Sequence, residues 1–250
     1  MSETKDPFYV GYLPLPTTLK SMVRVFIAAG VFGAIAMAFV IAPQQQDPGT
    51  GQWDTSTTFA IEGHLSVKPY PIVYVDDPKS TFASRAVILV SGMKFGAAEQ
   101  TAAFDGKRVR AKGHFITRQG RGVFELSGDE DAVVVLSDES TEPRVESLGE
   151  HELVGEITDS KCFLGVMKPG FGKTHRACAV RCISGGIPPI FVTRDEAGKA
   201  TIYLLTDGER GAINEAVLPY VSEPVEVRGR LERHGDLLVY AIDPDRIARQ

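Results

Sequence analysis

Val109-Arg110-Ala111-Lys112-Gly113-His114-Phe115 and Val225-Glu226-Val227-Arg228-Gly229-Arg230-Leu231 are the two runs on which the fold turns. Each alternates in the manner of a half-buried strand and carries a Gly at its fifth place. Their surroundings repeat too. Upstream, Ile88-Leu89-Val90-Ser91 through Phe95-Gly96-Ala97 aligns with Tyr203-Leu204-Leu205-Thr206 through Arg210-Gly211-Ala212, and helical stretches follow at 97–104 and 212–218. Downstream come a hairpin turn and a last strand in both copies, at 123–126 and 237–242. Gly63 and Gly155 hold equivalent places in the opening strands. Five short strands with a helix between the third and fourth is the order of an OB-type barrel, and a repeat of that order implies two of them. The fold class read from the chain is mainly β, with two tandem OB-like barrels at 59–136 and 151–245 and a linker at 137–150.

Ahead of the barrels, Val25 to Ala42 carries no charge, and Met22 and Val23 extend the run past Arg24. A span needs about 20 apolar residues, so 22–42 reads as one transmembrane helix. Pro43 follows Val40-Ile41-Ala42, which argues against signal-peptide cleavage there. Lys5, Lys20 and Arg24 precede the span and no Lys or Arg follows until Lys68. The expected topology has the leader 1–21 in the cytoplasm and the barrels outside, in the periplasm of a Gram-negative cell. The polar, Pro/Gly-rich stretch 43–58 reads as a linker. Ala29, Gly30, Gly33 and Ala34 form small-x-x-x-small pairs, so a second membrane helix could approach closely. The aromatic, Pro-rich leader would sit at the interface or dock a partner subunit.

The second copy differs by an insertion that holds all three cysteines, Cys162, Cys178 and Cys182, with His175 between them. If 174–183 is helical, His175, Cys178 and Cys182 share a face and Cys162 comes over from the preceding loop. A structural disulfide from Cys162 to Cys178 or Cys182, with one thiol left over, is the expectation outside the cytoplasm. The odd cysteine keeps open a Cys3His set for zinc or another thiophilic metal, although C-x12-H-x2-C-x3-C is not a standard finger. A redox pair is the third reading, since C-x3-C is not C-x-x-C. Gly172-Lys173-Thr174 only imitates the end of a phosphate loop, because Met167 stands where its first Gly belongs.

Gly155-Glu156-Ile157-x-Asp159-x-x-Cys162, His175-x-x-Cys178-Ala179-x-x-Cys182 with Gly185, and Val225-x-Val227-x-Gly229 resemble a set of small exported bacterial OB-like domains of unassigned function. The first copy, with Pro69-Tyr70-Pro71 and Lys94-x-Gly96-Ala97-Ala98, resembles a related uncharacterised domain. The resemblance covers most of 60–243. It implies the fold and an exported location, and no activity.

The chain has 250 residues, 43% of them hydrophobic and 24% charged, which is enough for a globular core. Its net charge of −5 disfavours the nucleic-acid binding common among OB barrels. His64, His114, His151 and His234 lack Cys or carboxylate neighbours at ligand spacing. No Ser-His-Asp pattern or placed carboxylate pair suggests catalysis. The functional expectation is a non-catalytic, membrane-anchored accessory subunit of a membrane complex of oxidoreductase type. The alternative is a metal- or haem-handling protein working through the Cys/His loop. Haem-chaperoning OB barrels supply a fold-level analogy, but the chain has no haem-attachment motif.

Overall fold

The computed structural model of the chain describes residues 15–42, 51–77, 79, 84–138 and 144–250. Most of the leader, to residue 14, and residues 43–50 and 139–143 of the two expected linkers lie outside the described residues. The chain divides into two compact units, Met1–Asp47 and Pro48–Gln250.

The first unit holds one helix, α1 (Thr17–Ile41). It starts five residues before the expected 22, directly after Pro16, because no breaker stands between Thr17 and Ser21. Its stretch Leu19–Ile41 is long and apolar enough to cross a membrane. Gly30 and Gly33 have open space where a side chain would stand.

The second unit is built from β1 (Gly51–Trp53), β2 (Phe59–Ser66), β3 (Ile72–Val75), β4 (Ala86–Val90), α2 (Ala98–Thr101), β5 (Arg108–Arg118), β6 (Arg121–Leu126), β7 (Val133–Ser137), β8 (Val145–Asp159), α3 (Arg176–Ser184), β9 (Pro189–Arg194), β10 (Ala200–Asp207), α4 (Asn214–Val217), β11 (Pro224–His234), β12 (Leu237–Ile242) and β13 (Ala248–Arg249). In the first barrel β2, β3 and β4 pair antiparallel in turn, and β4 then runs parallel to β6. β6 turns back on β5, and β5 closes on β2. The second barrel follows the same circuit through β8, β9, β10, β12 and β11. These are two closed barrels with OB connectivity, as the repeat implies.

The register shows how the copies correspond. Gly63 faces Val109 and Gly155 faces Val225, while Gly113 faces Leu126 and Gly229 faces Ile242. One correspondence read from sequence is corrected by one residue. Ile88 pairs with Val123 and Leu204 with Val239, so Ile88 matches Leu204 and not Tyr203. A one-residue slip exchanges the two faces of a strand. Alternation could not prevent it here, because all five residues of β4 are buried and the strand has no polar face to mark.

Both expected linkers hold strand in their described parts. β1 lies within 43–58 and pairs with the far end of β5, Trp53 opposite Ile116. Residues 145–150 begin β8 and pair with the far end of β11, Val145 opposite His234. These extensions are mostly exposed, so they lack the apolar alternation that announces a strand.

Three apolar clusters form the interior. One fills the first barrel around Ile61, Leu65, Leu89 and Phe124, and one fills the second around Phe191, Leu205, Val227 and Tyr240. The third is a seam between the barrels' outer faces. Tyr70, Ile72, Ile88 and Val90 meet Phe163, Leu164, Ile190 and Leu204 there. Polar ties border it. The Ile213 amide donates to the Tyr70 hydroxyl at 2.9 Å, and the Asp236 carboxylate accepts from the amides of Arg85 and Ala86, each at 2.9 Å. Arg118 donates to the carbonyls of Phe163 and Met167.

The repeated Gly in β5 and β11 marks a place where neighbouring backbone leaves no room for a side chain. A Cβ at Gly229 would fall inside the Ala241 carbonyl oxygen, whereas one at Gly128 would meet nothing within 4 Å. Gly229→Ala is expected to destabilise by about 2–3 kcal/mol and Gly128→Ala by less than about 0.5 kcal/mol, read from denaturant midpoints at constant slope.

Candidate metal centre

The insertion between β8 and β9 lies in the seam. Asp159 ends β8, and its carboxylate accepts the Cys162 amide at 2.8 Å, fixing the start of a wide helical turn, Cys162–Val166. The chain then returns to α3, which carries Cys178 and Cys182 one turn apart. Ser184-Gly185-Gly186 stops this helix, and the Asn214 side-chain amide donates to the carbonyls of Ile183 in its last turn and Ile187 beyond it.

All three thiols converge. Cys162 Sγ is 3.9 Å from Cys178 Sγ and 3.8 Å from Cys182 Sγ. Cys162 and Cys182 are buried and Cys178 is half-buried. The expected disulfide is not formed. Cys162 stands almost equally far from both partners, at nearly twice the length of an S–S bond of about 2.05 Å, so neither pairing is singled out. Those separations suit a different bond. A metal held at about 2.3 Å by each sulfur spans S···S edges of about 3.8 Å in a tetrahedron and about 4.0 Å in a triangle.

His175 stands just before α3 rather than on its face, and its Nε2 is 2.9 Å from Asp159 Oδ2, both side chains being buried. The sequence-derived Cys3His set therefore resolves into two overlapping groups. Cys162, Cys178 and Cys182 form one, and Asp159, Cys162 and His175 the other, with the ligating atoms of each within 4.8 Å of one another. Cys162 belongs to both.

Lys94 was not legible as a site residue. Its ammonium crosses the seam from the first barrel and donates to Cys178 Sγ at 2.9 Å and Cys182 Sγ at 3.5 Å. Contact with Cys178 raises the Lys94 pKa above the ordinary ammonium range. The Cys162 S–H holds Cys182 down at about 7, against the opposing effect of burial, and the Lys94 charge assists. Cys162 is pushed up correspondingly, first by that same hydrogen bond and then by burial. Cys182 is thus the thiol favoured to carry negative charge, beside the Lys94 cation.

The loop bearing the half-buried Lys94 is pinned by a second lysine that is fully buried. Lys161 donates to the carbonyls of Ser91 and Met93 at 2.8 and 2.9 Å and pairs with Glu125 at 3.0 Å. The loop lies flat on the end of α3, where the Gly96 amide donates to the Gly185 carbonyl at 2.9 Å. A Cβ at Gly185 would strike the Lys94 carbonyl and one at Gly96 the Gly186 carbonyl, so glycine is required on both sides of this contact. Of the remaining histidines, His114, His151 and His234 are exposed or half-buried, whereas His64 is buried, its ring 6.2 Å from that of Tyr74.

Comparison with protein-family models, curated proteins and solved structures finds no match for this chain.

Proposed function

We propose that this chain is a membrane-anchored metal-handling protein that holds a thiophilic ion through Cys162, Cys178 and Cys182. The observation that carries the reading is the sulfur spacing of 3.8–3.9 Å beside the Lys94 ammonium. Three thiolates select soft or borderline ions such as Cu(I) and Zn(II). With either ion the three-thiolate complex is anionic, and Lys94 offsets that charge in a poorly solvated seam. The Asp159–His175 pair anchors the Cys162 turn, and a histidine–carboxylate pair of this kind sets the strength of the adjoining ligand. In the proposed topology α1 spans the inner membrane with its N-terminus in the cytoplasm, and the barrels stand in the periplasm. Supporting this are the basic residues before the span and their absence from 25–67.

The test is thiol counting under denaturing, non-reducing conditions on the purified full chain, with metal measured in the same sample. Three reactive thiols with one bound ion per chain are expected, with at least a tenfold loss of metal in Cys178→Ser. His175→Ala should weaken affinity by about 10–100-fold without moving the ion to other ligands. One free thiol and no metal would establish the disulfide instead.

A second reading, favoured by the small-x-x-x-small pairs of Ala29, Gly30, Gly33 and Ala34, is that the chain serves as an accessory subunit of a membrane complex, of oxidoreductase type. Helices pack closely in a membrane where small residues let their backbones approach. Gly30→Leu with Gly33→Leu should reduce co-purification of partner subunits from native membranes at least several-fold, with the head still folded. Unchanged co-purification would leave α1 an anchor only.

A further inference from the structure

A cleft of about 420 Å³ opens along the seam, lined by residues from both barrels, and it uses none of the thiol machinery. Strand periodicity explains its lining. On β10, Tyr203 and Leu205 point into the second barrel, so Leu204 and Thr206 face outward to the cleft. On β3, Val73 and Val75 point into the first barrel, which turns Ile72 and Tyr74 to the same space. The apolar floor is therefore made of two outward-facing strand surfaces.

Its polar groups are biased in one direction. Thr206 is fully buried, yet its hydroxyl has no hydrogen-bond partner among the described residues. A buried hydroxyl of this kind is destabilising unless something pairs with it. Lys68 is exposed at the cleft and has no ion-pair partner among the described residues. Arg210 and His234 also line it, and both hold the buried Glu232 carboxylate, which Arg230 contacts as well. Two guanidinium groups on one carboxylate leave positive charge in excess. His64 adds an imidazole, and Asp105 is the one carboxylate of the lining, with an oxygen already accepting the Val67 amide at 2.8 Å.

We infer that this cleft binds a small organic anion with an apolar body, the anionic group being met by Lys68 and the Thr206 hydroxyl and the body by Pro69 and Tyr74 above the floor of Ile72 and Leu204. The cleft's volume is that of a small-molecule site, and its lining divides about evenly between polar and apolar residues, which suits a ligand with both characters. The inference is independent of metal binding.

The experiment is calorimetric titration of the detergent-solubilised full chain with 4-phenylbutyrate and, separately, with 4-phenylbutylamine, which has the same body and the opposite charge. The acid is expected to bind saturably at one equivalent, at least tenfold tighter than the amine. Lys68→Glu, at an exposed position, should weaken the acid at least tenfold. Thr206→Val should weaken it about threefold to tenfold while leaving the unfolding midpoint unchanged or raised, because it removes an unpaired buried hydroxyl. No saturable binding of the acid, equal binding of the amine, or an acid affinity unchanged in both variants would overturn the proposal.

Discussion

The apolar seam between the two barrels is the constraint on which the rest depends. A barrel alone buries one face of each strand and can leave the other wet. Here the outer faces of β3, β4, β9 and β10 are apolar as well, and each supplies side chains to the shared cluster. Fully burying a residue such as Ile88 or Leu204 is worth about 1.5–3 kcal/mol, so a cluster of this size outweighs the cost of holding the barrels in one orientation. Once that orientation is set, groups far apart in sequence are brought within hydrogen-bond reach.

The thiol site is one product of the seam. Its sulfurs come from the second barrel, but the cation beside them and the loop that presents it belong to the first. Lys161 adjoins Cys162 in the chain and reaches across to hold the Lys94 loop, so one segment supplies a thiol and fixes the loop that carries the cation beside it. Buried charges of this kind persist only when paired and hydrogen-bonded, as Lys161 is by two carbonyls and Glu125. The cleft is the other product, formed where the seam's apolar floor runs out toward Lys68 and Arg210.

How much of this was legible in the chain depended on what each residue had to signal. Gly113 and Gly229 announced the repeat because backbone crowding at equivalent strand crossings excludes every other residue type. The interior of each barrel followed from alternation. The register of β4 against β10 did not, because burial on both faces erases the period-2 signal. β1 and the start of β8 were hidden for the opposite reason, being mostly exposed. Cys162, Cys178 and Cys182 were recognisable as a group from composition alone. Their bonding was not, since spacing cannot distinguish sulfurs about 2 Å apart from sulfurs about 4 Å apart. Lys94 lay beyond reach of sequence reasoning altogether, because only the docking of two barrels brings it to the thiols.

If the seam is the governing constraint, the barrels unfold as one unit. Trp53 is the chain's one tryptophan, sits on the edge of the first barrel and lies 5.7 Å from the Lys161 ammonium of the second. Urea unfolding of the full chain followed by Trp53 fluorescence and by far-ultraviolet circular dichroism tests this directly, comparing wild type with Leu204→Ala, a seam residue of the second barrel. Coincident single transitions that shift together by about 2–4 kcal/mol are the predicted result. Separate transitions, with the Trp53 midpoint unmoved by Leu204→Ala, would contradict it.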